Sequence, residues 1–337
     1  MVPKYFIVVA CLFFTVVSLG GCDVLKSQTA TIEKYPTKPI TTIVPFAAGG
    51  AVDMIARTMN KTAAKHIDQS LVISNMPGAA STIGWNELVG AKPDGYTIGF
   101  ISSSMILQPL YGQTRYHYPT AIDPLVHVTS FPIVLAVRSD KQWQSVEELV
   151  KYAKEHPGKI KYGHSGLGQA THVVAEMFSH AAGIDIAQVP FRGDAESIVA
   201  LLGGHVHLAF VAYPSIKEQV KAGKVNVLAL SSEQRLKNTE LENIPTFKEN
   251  GLDVVFSLWH GIGAPQNMPR DVKAKLTKGL TAIVNDADFI KDMEILGMTV
   301  EYLGPEDFKA KVIEGNTKLK KVVQETGIAE RIAAQKN

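Results

Sequence analysis

Two glycine-rich loops hold most of the residue types that could do chemistry in this chain. The first runs Val44-Pro45-Phe46-Ala47-Ala48-Gly49-Gly50-Ala51-Val52-Asp53 and joins a β-branched run to a helical pattern. Gly49 and Gly50 carry no Cβ, so their N–H groups can approach a ligand closely. The helix start behind them adds unpaired N–H donors and the positive end of a dipole. Together the glycines and the helix start would make an anion site suited to a carboxylate. A tight strand-to-helix turn without a ligand would use the same glycines. Asp53 falls in the first helical turn, where its plainer role is dipole compensation and capping.

The second loop is Gly163-His164-Ser165-Gly166-Leu167-Gly168-Gln169-Ala170-Thr171-His172. It again links a strand to a helix, exposes backbone at its glycines, and offers the hydroxyls of Ser165 and Thr171. Two enzyme motifs nearly fit. A nucleophile elbow needs Gly two residues after the serine, and Leu167 stands there instead. The run Gly166-x-Gly168-x-x-Thr171 is half of a dinucleotide fingerprint, without its third Gly and without an acid after the next strand near Val189. His205 and His207 are expected to share a strand face, and His164 and His172 flank the loop, but no acid stands at zinc-site spacing beside them. Ser102-Ser103-Ser104 follows a strand, and Tyr213-Pro214 follows another at a helix entry. Ser103 and Tyr213 are therefore further candidate ligand contacts, with Phe46, Tyr213 and Trp259 as candidate apolar walls. Arg192 reads as part of a strand-to-helix turn. No nucleophile–base–orienter set, metal cluster or complete cofactor motif accompanies these loops, so neither catalysis nor a cofactor is expected.

The elements that position the loops alternate. Ile40–Val44 reads as a strand, and Val52, Ile55, Ala56, Met59 and Ala63 give helical spacing over residues 52–66. Strands are expected at 70–74, 97–101 and 131–137, and a helix at 146–156. Beyond it strands at 159–162, 187–190, 207–211 and 225–230 alternate with helices at 171–182, 194–202 and 214–222. This alternation argues for an α/β fold with largely parallel sheets covered on both faces. In such sheets ligands sit beyond the carboxyl ends of the strands, where both loops fall.

The ends carry a different signal. Lys4 precedes an apolar run over residues 6–19, shorter than the ~20 residues that span a bilayer. The run closes in Leu19-Gly20-Gly21-Cys22. This resembles the lipobox of bacterial lipoproteins, which implies a signal peptide over residues 1–21, lipidation of Cys22, and a polar tether over 22–33. The chain has two cysteines, Cys11 and Cys22, so removal of the signal leaves no disulfide. With 337 residues and a net charge of +2, acidic and basic residues interspersed, nothing forms the basic stripe that nucleic-acid binding needs.

Taken together, Pro45-Phe46-Ala47-Ala48-Gly49-Gly50 with Asp53, Asn75-Met76-Pro77-Gly78-Ala79, Lys92-Pro93-Asp94-Gly95-Tyr96-Thr97, Ser165-Gly166 with Thr171-His172, Val189-Pro190-Phe191-Arg192-Gly193, Leu202-Gly203-Gly204 and Ile244-Pro245-Thr246 resemble the Bug family. These are the extracytoplasmic solute receptors of tripartite tricarboxylate transporters. The resemblance implies a class II periplasmic-binding-protein fold, with two lobes, a ligand cleft and two crossover strands. Lobe 1 would span 34–133 plus 256–337, and lobe 2 134–255. It implies that Phe46, Ala47, Gly49, Gly50 and Asp53 serve the ligand from one lobe, and Ser165, Gly168 and Thr171 from the other. Where many relatives carry Asp, this chain has Ala212.

The expected function is capture of a small organic carboxylate by a monomeric, lipid-anchored, extracytoplasmic receptor that delivers it to membrane permease subunits. A ligand sensor for a membrane signalling partner is the alternative, and a lipoprotein hydrolase using Ser165 the weaker one.

Overall fold

The computed structural model describes residues 35–336, apart from 113, 142 and 237–239. The chain divides into a unit at Met1–Tyr35 and a body at Pro36–Asn337. The expected signal peptide, Cys22 and the tether lie outside the described residues.

The body opens with β1 (Ile40–Val44), α1 (Ala51–Ile67), β2 (Leu71–Asn75), α2 (Thr82–Gly90) and β3 (Thr97–Ser102). The short helices α3 (Ser104–Leu107) and α4 (Tyr118–Ala121) lead into β4 (Ile122–Arg138). Next come α5 (Val146–Glu155), β5 (Lys161–His164), α6 (Ala170–Ala182), β6 (Ala187–Pro190), α7 (Asp194–Leu202), β7 (Leu208–Ala212), α8 (Tyr213–Lys221) and β8 (Val225–Leu230). The chain finishes with β9 (Ser257–Pro265), α9 (Arg270–Val284), α10 (Ala287–Ile295), β10 (Val300–Leu303), α11 (Pro305–Thr326) and α12 (Ile328–Lys336).

The apolar spacing of α1 does what it predicts: Val52, Ile55, Ala56, Met59 and Ala63 are all buried. β1 pairs in parallel with β2 on one side and β3 on the other, and β9 lies antiparallel against β3. The strand that organises everything else is β4. Its 17 residues are long for a strand, about 55 Å at the usual rise. Residues 122–132 pair with β9, and 133–138 pair with β7 and β8. β7, β5 and β6 then continue in parallel. Two β-bulges bend β4, one between Pro124 and Val126 and one between His127 and Thr129. Bulges strengthen the local twist, which lets one strand serve two differently oriented groups of strands. The chain returns from β8 beside β4, with Ser231 N–H donating to Ile133 O and Phe256 N–H donating to Ser231 O, and then enters β9.

The expected strand at 131–137 is thus the second half of a longer one. Its first half contains Pro124 and alternates poorly because it is buried on both faces. The strand expected at 159–162 lies two residues later, because Lys159 N–H still bonds His156 O in the turn that leaves α5. The expected strand face shared by His205 and His207 does not exist. Both precede β7, His205 N–H bonds Ala200 O in the turn after α7, and His207 Nδ1 accepts from Lys161 N–H.

Beneath α7 and α8, Val134, Ala136, Leu201, Val206, Val211 and Ile216 form one apolar cluster. On the other face Phe178 and Phe247 flank Phe210.

Candidate functional site

The first loop is built around a buried carboxylate committed to three hydrogen bonds with its own surroundings. Asp53 Oδ2 accepts from Gly49 N–H at 2.9 Å and from Arg57 Nε at 2.8 Å. Its Oδ1 accepts from Asn75 Nδ2 at 3.0 Å, and the same amide reaches Phe46 O at 3.2 Å. Burial pushes the carboxyl up, but the hydrogen bonds from Arg57, Gly49 and Asn75 outweigh it and hold Asp53 below the ordinary aspartate range. Gly49 has a φ of +80°, the left-handed region that Gly occupies without penalty. Asp53 therefore fixes the loop from behind.

In the second loop the two histidines act as braces. His164 Nδ1 accepts from Gly166 N–H at 3.2 Å, and His172 Nδ1 accepts from Gly168 N–H at 3.1 Å. An accepting Nδ1 requires neutral imidazole. Burial agrees with that, lowering His164 to about 4 and His172 well below its ordinary value. The rings stack with centroids 4.4 Å apart. Ser165 Oγ lies 2.6 Å from Thr171 Oγ1, which also accepts Ser165 N–H at 3.0 Å. The serine is bonded to a hydroxyl, so no base is placed to activate it. Among the described residues no group of three or more His, Cys, Asp or Glu side chains could hold a metal.

These loops open on a cavity of about 1480 Å³. Of the sequence-predicted residues, Phe46, Ala47, Gly50, Ser165 and Thr171 line it. Gly49, Asp53, Gly168, Ser103 and Tyr213 do not. Gly168 points its carbonyl at Gln108 Nε2, 2.8 Å away. Ser103 Oγ is buried without a partner, while its neighbour Ser104 faces the cavity. Tyr213 O–H donates to Glu240, and Trp259 packs against Phe308 instead of forming a wall. The aromatic wall comes from Phe46, Phe131 and His260. His260 stacks on Phe131 at 5.1 Å and meets Phe46 edge-on at 6.0 Å. Burial lowers His260 to about 3, so it is a neutral ring.

Sequence reasoning missed Ser81, Gln108, Asp194 and His260, and it reached Ser104 and Gln169 only as members of the Ser102–Ser104 run and the second loop. Ser81, Ser104, Gln108 and Gln169 take part in three hydrogen bonds that join the first part of the chain to the second loop or its helix. Gln108 reaches Gly168 O, Gln169 Nε2 reaches Ser81 Oγ at 3.0 Å, and Ala170 N–H reaches Ser104 Oγ at 3.3 Å. Asp194 Oδ2 accepts from Ala212 N–H and Ser215 Oγ, both at 3.1 Å. Its buried Oδ1 has no partner, and burial raises the carboxyl to about 6. Only the proximity of Asp194 to Pro190-Phe191-Arg192-Gly193 could have drawn attention to it.

The helices complete the electrostatics. α1, α6, α7 and α8 begin at Gly50, Gln169, Gly193 and Ala212, all on the cavity wall, and none has a side-chain cap. α5 and α10 begin elsewhere and are capped by Ser145 and Asp286. α9 and α11 also lack side-chain caps, so an uncapped start is not peculiar to this wall. The convergence of four of them on one cavity is. Uncapped N-termini present N–H donors and positive dipole ends, which favour an anion.

A family model described as the tripartite tricarboxylate transporter family receptor matches residues 55–328. The chain belongs to this family. The protein BugT of Bordetella pertussis is 27% identical over 299 residues, covering 88% of this chain and 91% of its own. Among solved structures, the periplasmic binding protein BugD is 31% identical with a TM-score of 0.81, covering 87% of this chain and 99% of its own. The R. palustris protein Rpa4515, solved with adipate, is 28% identical with a TM-score of 0.82, covering 87% of this chain and 98% of its own. The fold is the two-lobed periplasmic-binding-protein fold, and the chain is a solute receptor of this Bug-type, periplasmic family, not an enzyme. Among the described residues no helix is long and apolar enough to cross a membrane.

Proposed function

We propose that this receptor is lipid-anchored through Cys22, captures a small organic carboxylate between the loop at residues 46–53 and the loop at residues 165–171, and delivers it to the permease subunits of a tripartite tricarboxylate transporter. The observation that carries this reading is the convergence of four uncapped helix N-termini on one cavity. Such an arrangement stabilises a carboxylate through backbone donors. The adipate in the R. palustris relative supports the same ligand class. In this reading lobe 1 comprises residues 34–133 plus 256–337 and lobe 2 residues 134–255, and the monomer closes over its cargo. Each lobe supplies part of the anion site, so the ligand gains its full set of contacts only in the closed form.

Thermal unfolding of the mature protein against a library of organic carboxylates tests the capture. A ligand at a hundredfold its dissociation constant should stabilise the protein by about 2.7 kcal/mol. If no carboxylate stabilises it while a neutral or cationic solute does, the reading is wrong. The anchor is tested separately: Cys22→Ser should move the protein from the membrane to the soluble fraction.

A further inference from the structure

The C-terminal helix reaches the cavity from the far end of the chain. α11 ends at Gly327, whose φ of +60° turns the backbone, and α12 follows at once. Ile328 and Ile332 are fully buried, and helical spacing puts Arg331 on the same face. α12 packs against the turn Gln108–Tyr111, and Ala333 lines the cavity. That turn meets the second loop twice, through Gln108 at Gly168 O and through the Tyr111 ring beside Gly168.

Arg331 extends from α12 to α6. Its Nε donates to Glu176 Oε2 at 2.7 Å. Glu176 is buried, its Oε1 accepts from Tyr162 O–H at 2.6 Å, and His172 Nε2 lies 3.7 Å from the same oxygen. The other nitrogen of that ring, His172 Nδ1, holds the N–H of Gly168. Gly168 is therefore held on one side by Gln108 and on the other by a ring that faces Glu176.

In the lobe division proposed above, α12 belongs to lobe 1, and Tyr162, His172 and Glu176 belong to lobe 2. Among the described residues Arg331–Glu176 is then the one ion pair that crosses between lobes, and the others each close within a lobe. Lys217 also reaches across, to Ile295 O at 3.3 Å, but that acceptor is neutral and Glu240 of its own lobe stands beside the lysine. Exposure gives the crossing pair its weight. Arg331 is half-exposed and regains water when the helices part, whereas Glu176 stays buried against Tyr162. Parting them strips a buried carboxylate of its cation, which costs more than breaking a pair on the surface.

We infer that α12 is a strap across the cleft and that Arg331–Glu176 is its latch, holding the closed form shut and breaking each time the receptor opens. The inference rests on the lobe division in the proposed function and not on the chemistry of the cargo.

Electron-spin distance measurements on the mature protein test the latch. With Cys22→Ser no native cysteine remains in the mature chain, so Ala64→Cys on α1 and Val199→Cys on α7, both exposed, carry the labels, one on each lobe. This background is compared without ligand to Arg331→Gln, Arg331→Lys, Glu176→Gln and the double variant Arg331→Gln with Glu176→Gln, each checked for an unchanged circular dichroism spectrum. Arg331→Gln should lower the ratio of short to long distances by about threefold or more, the scale of an ion pair with one exposed member. Glu176→Gln should lower it too, and adding Arg331→Gln should take nothing further, because both remove the same pair. Arg331→Lys keeps the charge and should retain most of the short population. Short and long populations in wild-type proportion in Arg331→Gln overturn the latch and leave the two lobes standing. So do additive losses in the double variant, or a loss as large in Arg331→Lys. One narrow distance common to every protein tested means that the lobes do not move against each other. The lobe division then fails and takes the inference with it.

Discussion

Gln108 donates from Nε2 to the carbonyl oxygen of Gly168 at 2.8 Å, joining two buried groups 60 positions apart. The bond ties the short helical stretch after β3 to the second glycine-rich loop. Together with the bonds from Gln169 to Ser81 and from Ala170 to Ser104 it holds the two sides of the cavity together. Gln108→Ala removes one such bond and leaves a carbonyl without its partner, at a cost of about 1 kcal/mol. Ligand affinity should fall by about fivefold, with a larger radius of gyration in the ligand-bound state by small-angle scattering. An affinity within twofold of wild type would show that this bond does not contribute to closure.

Gly168 is constrained twice. Its φ is +74°, and a Cβ would collide with the ring of Tyr111. Gly168→Ala should destabilise the protein by roughly 2–3 kcal/mol, the sum of a left-handed backbone penalty and an overpacking cost. Adding Tyr111→Ala to Gly168→Ala relieves only the second. A double-mutant cycle in urea unfolding should therefore give a favourable coupling of about 1 kcal/mol, and strict additivity would contradict the contact.

Gly49 differs, although it sits in a similar loop. A Cβ there meets nothing within 4 Å, and Gly49 does not line the cavity. Gly49→Val should then act through its φ of +80° and the N–H bond to Asp53, not by obstructing a ligand. Asp53→Ala removes the same anchor from the other side. Both variants should weaken carboxylate binding about tenfold, roughly 1.4 kcal/mol, in calorimetry. If Gly49→Val binds like wild type, the loop does not need this clamp. The Asp53 carboxyl is held below its ordinary range. Its contribution to stability is therefore present above that range and lost as pH falls through the lower, folded-state value.

Asp194 has the opposite sign. Burial raises its carboxyl to about 6, so between the ordinary aspartate range and pH 6 the native state binds more protons than the unfolded chain. Stability from this group falls as pH rises through that window and levels off above it, a loss on the order of 2–3 kcal/mol. Asp194→Asn keeps an oxygen for the Ala212 N–H and cannot ionise. Its unfolding free energy relative to wild type should rise between pH 4 and pH 7 in urea titrations. A gap that does not widen with pH would mean that the wild-type carboxyl is not raised.

The parts of this molecule that could be read from the sequence are those with local causes. The spacing of Val52, Ile55, Ala56, Met59 and Ala63 marks α1, and the β-branched run at Ile40–Val44 marks β1 with its observed ends. The two loops announce themselves by their glycines, and Phe46, Ser165 and Thr171 do reach the cavity. What escaped notice depends on distant partners. Gln108 and Gln169 are ordinary polar residues until the fold brings Gly168 and Ser81 against them. His260 lies within β9, a strand whose place between β3 and β4 no local pattern encodes. Asp53 was visible, and its capping role is closer to what the geometry shows than direct ligand contact.

The position of β9 also bears on how the chain is made. β9 is inserted between β3 and β4, pairing Gly99 with Gly263 and Phe131 with Leu258. A nascent or partly translocated chain that ends before residue 257 has β3 and β4 with their facing edges unpaired. Open edges of this kind recruit other strands and aggregate. The first sheet can be finished only after some 160 intervening residues have emerged, and contacts of such long range slow folding. The pairing of β3 and β4 within one sheet therefore waits on β9, one of the last strands of the chain to be made.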